Sequence, residues 1–194
     1  MTFFRNCTGL TTRLRAFSRL RAFAGGQSGM AAVEFAVILP FMLTAYLGGI
    51  EFGDGVAIDR KVAITTRSVA DLASRFTQIK DADMASILGA SSTIIAPYPT
   101  TPLAVTVSQV TVDARGVATV GWSDANSNGS PHAKGSGVTL PGTLATPNTS
   151  YIWGEVSYVY TPTLGYALTG SWTLKNQIFM SPRESSCVLR NNSC

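Results

Sequence analysis

The chain has 194 residues, which leaves room for one ordinary domain and an accessory segment. Only 13% of residues are charged and the mean hydropathy is +0.20, low charge and high apolarity for a domain bathed wholly in water. The net charge of +4 sits in residues 1–29, where Arg5, Arg13, Arg15, Arg19 and Arg21 meet no acid. Residues 30–194 hold ten Lys and Arg against eleven Asp and Glu, which argues against a basic nucleic-acid face on the remainder. The one histidine, His132, leaves neither a His-based zinc cluster nor a Ser-His-Asp set. No Gly-x-Ser-x-Gly elbow or phosphate loop appears. The expectation is a structural protein without catalytic residues or cofactor.

The basic leader, residues 1–29, ends in a flexible Ala24-Gly25-Gly26-Gln27-Ser28-Gly29 stretch. An apolar segment follows: Phe35 to Ile50 is sixteen residues without a charge, bracketed by Glu34 and Glu51. Taken over residues 30–53 it supplies the roughly 20 residues that cross a ~30 Å hydrocarbon core. Five leader arginines against Arg60 and Lys61 on the other side orient it with the N-terminus in the cytoplasm and residues 54–194 outside. A cleaved secretory signal fits less well, because the basic region is long and no Ala-x-Ala site follows. Pro40 should kink the helix by removing a backbone donor. Ala45, Gly49 and Gly53 recur every four residues, a small-residue face suited to close helix contact in lipid.

Residues 54–80 continue as an amphipathic helix. Ile58, Val62, Thr65, Val69, Leu72, Phe76 and Ile79 step by fours and threes, while Arg67, Asp71 and Arg75 lie off that stripe at pairing distance. Residues 81–194 form a β-rich domain. Leu103 to Val107 alternates, Val110 to Val120 reads as a hairpin around Asp113-Ala114-Arg115-Gly116, and Ile152 to Tyr160 and Ser171 to Met180 give two further strands. A Gly/Ser/Asn/Pro loop fills most of 123–150. The fold class is α+β, a small antiparallel sheet packed on the helix stripe.

Asp124, Asn126 and Asn128 before Gly129 match the first half of a calcium loop, but Gly135 stands where a bidentate glutamate would be needed. A polar surface loop is the preferred reading, and no metal site is expected. Cys187 and Cys194 flank six residues; outside the cytoplasm they would close a small disulfide loop.

The junction Gly29-Met30-Ala31-Ala32-Val33-Glu34-Phe35 resembles a type IV prepilin processing site, with glycine five residues before a glutamate that opens an apolar helix. The resemblance implies cleavage by a prepilin peptidase between Gly29 and Met30. It also implies an assembly role for Glu34, since an intramembrane carboxylate faces a partner rather than lipid. Residues 31–40 and Glu51-Phe52-Gly53 resemble the TadE family of the tight-adherence (Flp, type IVb) pilus systems. Gly121-Trp122-Ser123, Gly137 to Pro141, Glu155 to Pro162 and Phe179 to Arg183 are similar to the periplasmic part of TadE/TadG-like sequences, although Ser181 stands where that pattern has arginine. The family implies a minor pilin or pseudopilin of the bacterial inner membrane, its domain in the periplasm or the pilus. Other pilins, Tad assembly-platform proteins and membrane lipid would be its partners, and nucleic acid would not. An uncleaved TadG-like anchor and a membrane-anchored binding module stand as alternatives.

Overall fold

A computed structural model describes residues 28–162 and 170–194; most of the expected leader lies outside that range. The chain divides into two compact units, Met1–Ile50 and Glu51–Cys194.

Helix α1 runs from Ser28 to Ser74 and contains Pro40. In the first unit every described side chain from Gly29 to Ile50 is exposed. The Thr44 hydroxyl donates to the Pro40 carbonyl at 2.7 Å. This is the one helix among the described residues long and apolar enough to cross a membrane, and a helix satisfies its backbone internally as lipid requires.

In the second unit the same helix becomes one wall of a core. Ile58, Val62, Val69, Ala70 and Ala73 are buried against Leu103, Val105, Val107, Ile152, Val156 and Tyr158. Thr65 and Thr66 share that buried face because their hydroxyls donate to the Lys61 and Val62 carbonyls one turn back, each at 2.8 Å. A four-stranded antiparallel sheet faces the helix in the order β3 (Ala118–Ala125), β2 (Leu103–Val112), β4 (Ser150–Tyr160), β5 (Trp172–Met180). Gly154 marks the closest approach of the two layers: a Cβ there would lie 3.0 Å from the Ala70 Cβ and 3.2 Å from the Thr66 carbonyl oxygen. On the sheet's other face the loop after β3 lays Val138, Leu140 and Leu144 over Val110, Val112, Ala118 and Tyr151 as a second apolar cluster. Alternating strands between two covered faces bury both sets of side chains. The α+β class with a long apolar helix and a small antiparallel sheet is therefore what the protein adopts.

Two boundaries differ from the sequence expectation. The amphipathic helix expected over 54–80 stops at Ser74, and Gln78–Ile79 form a short strand, β1, parallel to β6 (Leu189–Arg190). Phe76 packs against the core and Ile79 is buried in it, but they arrive there through a turn and a strand. The region expected to be β-rich from residue 81 opens instead with helix α2, Asp81–Ile95. Asp81 and Asp83 lie in its first turn, where acids favour the helix dipole, and Asp83 accepts from the Lys80 backbone N–H at 3.0 Å. Met84, Ile87, Ser91 and Ile95 are its buried face. Lys61 of α1 secures the other end, donating to the carbonyls of Ile94 and Ala96 at 3.0 and 2.6 Å.

Candidate functional site

The processing junction and its glutamate occupy the start of α1. Gly29 and Met30 belong to its first turn, and a Cβ on Gly29 would meet nothing within 4 Å. Cleavage of an extended backbone there requires the first turn to unwind, which helix ends do readily because their first N–H groups lack helical partners. Glu34 lies on an exposed helix surface beside the exposed Val33 and Phe35. Among the described residues nothing pairs with it. Ala45 and Gly49 in the first unit and Gly53 in the second are exposed as well, and added Cβ atoms on either glycine would meet open space.

Asp71 holds the packed part of α1 to the C-terminal segment. It pairs with Arg75 at 2.5 Å, one of the spacing-four partners, and also with Arg183, 112 residues away. Beyond Arg183 the chain closes the domain. The Trp122 indole N–H donates to the Val188 carbonyl at 2.8 Å, and Cys187 and Cys194 are joined in a disulfide, their Cα atoms 6.2 Å apart. The C-terminal residue reaches Gly121, the extra residue in a β-bulge opposite Gln109 and Val110. A Cβ at 121 would lie 2.7 Å from the Cys194 carbonyl carbon, so only glycine admits this approach.

The three oxygen-bearing residues of the calcium-like pattern are engaged elsewhere. Asp124 accepts from the Arg190 Nε at 2.9 Å. Asn126 bridges the Val105 N–H and the Leu103 carbonyl at 3.0 and 2.9 Å, and Asn128 donates to the Thr101 and Leu103 carbonyls. Asn126 and Asn128 tie the loop to β2 and Asp124 is held by Arg190, so the three do not converge on an ion. Arg190 also reaches Asp81 at 2.7 Å; the hydrogen bond it donates to Asp124 is the main cause that holds its guanidinium above the ordinary arginine range.

His132 is better placed than its loop position suggested. Its Nε2 lies 2.5 Å from Glu155 Oε2 and its ring stacks on Trp153 at 4.6 Å, which in turn stacks on Phe179 at 5.5 Å. With Thr106, Ser157, Lys175 and Gln177, His132 and Glu155 line a half-open groove of about 550 Å³ on the sheet face away from α1. Single residues scattered over four elements carry no sequence signal for such a groove.

At the sheet end nearest Glu51, the Tyr160 hydroxyl donates to the Glu51 carbonyl at 3.2 Å and its ring lies 3.6 Å from where a Cβ on Gly55 would be. Trp172, the β5 partner of Tyr160, packs on it at 6.3 Å with a tilt of 58°. Partial burial first, then the carboxylates of Asp54 and Glu51, push the Tyr160 hydroxyl above the ordinary phenol range.

Among the described residues one exposed apolar helix leads into the α+β domain, an arrangement compatible with single-pass membrane anchoring. Residues 29–75 match the family model described as TadE-like protein, the family that the sequence resembles, and the matched stretch is α1 almost to the residue. The likeness to a family of the Tad pilus system rests on that helix. No curated protein and no solved structure matches the chain.

Proposed function

We propose that the protein is a minor pilin or pseudopilin of a Tad/Flp pilus. A prepilin peptidase cuts it between Gly29 and Met30, and α1 then recruits it into an inner-membrane or pilus assembly with its domain on the periplasmic side. The observation that carries this reading is Glu34: a carboxylate in the first turns of an exposed apolar helix, within the segment that matches the TadE-like family. Such a group in hydrocarbon calls for a cationic or hydrogen-bonding counterpart, and the new N-terminal amine of a neighbouring subunit supplies one. The small face of Ala45, Gly49 and Gly53 lets a second helix approach closely. The role is structural, and no catalytic step is assigned to the domain.

Intact-mass measurement on protein purified from membranes tests it. The expected chain begins at Met30, with or without an added methyl, and Gly29→Ala leaves the leader attached. Glu34→Ala should be cut yet fail to enter the assembly. A wild-type chain that keeps its leader favours the TadG-like anchor, and full assembly by Glu34→Ala removes the role given to that carboxylate.

A further inference from the structure

The geometry points to a second membrane contact, made by the domain itself: Trp172 and Val159, at the end of the β4–β5 pair beside the buried Tyr160, rest in the lipid headgroup layer and seat the sheet on the bilayer. The inference rests on the membrane-anchor reading of α1 and adds to it a surface that the family match, confined to residues 29–75, does not contain.

Position along the chain carries the argument. Glu51 is the first residue after the uncharged run, so the hydrocarbon edge falls beside it. Tyr160 bonds to Glu51 and touches the surroundings of Gly55, four residues on, a rise of about 6 Å along a helix. The headgroup layer on each side of a bilayer is about 5–8 Å deep. These side chains are therefore held at headgroup depth by contacts inside one compact unit.

Chemistry agrees with the place. Trp172 is 42% exposed and Val159 43%, and Phe52, one residue past Glu51, is 67% exposed. Among the described residues of the domain, the other exposed large apolar side chains are Val56 and Ile64 on α1 and Val117 in the β2–β3 turn, at the far end of the sheet. Tryptophan favours the interface because an apolar ring and a polar N–H are both accommodated there. Seating of this kind fixes the domain's distance from the membrane, which a helix alone leaves to its tilt.

The test uses the full chain reconstituted in vesicles of phosphatidylethanolamine and phosphatidylglycerol, with or without lipid brominated near the acyl carbonyl. The brominated lipid should quench part of the tryptophan emission, and Trp172→Phe should abolish that loss. Trp122, buried at 6% exposure, and Trp153, seven residues from Tyr160 and so about 23 Å along β4, should remain unquenched. Trp153→Phe, which leaves Trp172 in place, must keep the quenching. If the protein floats with the vesicles but its emission ignores bromine, the headgroup contact is overturned and the anchor stands. If quenching survives Trp172→Phe, the contact is assigned to the wrong residue and the proposal falls. If the chain does not float with vesicles, the anchor and this inference fall together.

Discussion

Helix α1 carries one continuous backbone through two kinds of side-chain surroundings. From Gly29 to Ile50 every side chain is exposed, and apart from Glu34 the residues are uncharged and largely apolar all round, as lipid demands. From Glu51 to Ser74 the exposed positions are largely charged or small, and a stripe led by Ile58, Val62 and Val69 is buried to 2% exposure or less. Helix geometry is common to both stretches, so it decides nothing between them. The distribution of apolar residues around the axis does: a full cylinder has no preferred protein neighbour, whereas a stripe selects one face and one sheet. In the first stretch side chains are chosen for transfer into hydrocarbon. In the second they are chosen to fit Val105, Ile152 and Val156.

The sharpest way to separate the two stretches is one substitution made in each. Val62→Asp places an unpaired carboxylate in a core position that is 0% exposed and should cost about 3 kcal/mol or more. The expected result is loss of the cooperative near-UV circular dichroism melt. Leu43→Asp should leave that melt unchanged and instead disfavour insertion by about 3 kcal/mol, read as protein released by alkaline extraction of membranes. A domain melt that responds equally to both would show that the two stretches are not energetically separate.

A milder contrast uses glycines. Gly154→Val must push against Ala70 and the Thr66 backbone, which overpacks the helix–sheet layer by ~1–3 kcal/mol and should lower the domain's melting temperature by several degrees. Gly49→Val meets open space within the chain, so the melt should not move. Its effect should appear only in helix–helix association, measured by energy transfer between labelled chains in bilayers.

The smallest expected effect lies in the β2–β3 turn. Asp113 accepts from the backbone N–H groups of Val117 and Arg115, each at 2.8 Å. The Val117 bond is the main reason its carboxyl titrates below the ordinary 3.8. A carboxyl lowered by folding adds stability above the unfolded value that is lost as pH falls through the folded one. Urea midpoints of wild type should therefore decline, relative to Asp113→Asn, only as pH drops below about 4. A difference that instead persists unchanged through that range would mean the carboxylate charge is not what holds the turn.

Much of the domain could be read from spacing. Alternation over Leu103 to Val107 located β2, the β-rich runs Ile152 to Tyr160 and Ser171 to Met180 located β4 and β5, and Asp113 to Gly116 located the turn, where Gly116 takes a positive φ of 82°. The end of α1 could not be located in this way. Phe76 and Ile79 extend the stripe in phase, yet β1 leaves the helix to pair with β6, whose residues lie 111 positions later in the chain. Helix α2 carried a local signal in Asp81, Asp83 and the spacing of Met84, Ile87, Ser91 and Ile95, hidden by the Ser- and Ala-rich composition between them.

What the sequence determined by itself is what depends on near neighbours: the apolar span, the charge asymmetry across it, the Gly29–Glu34 spacing, the stripe that follows, and the strands. Transfer into lipid and the helix and strand periods act over a few residues, so they are written locally. Tertiary structure alone decided the fate of Asp124, claimed by Arg190, the partnering of His132 with Glu155 and Trp153, the approach of Cys194 to Gly121, and the position of Tyr160 and Trp172 beside Glu51. Each of these joins groups many residues apart, and which of them meet is set by how the helix and sheet pack, a property that no local pattern encodes.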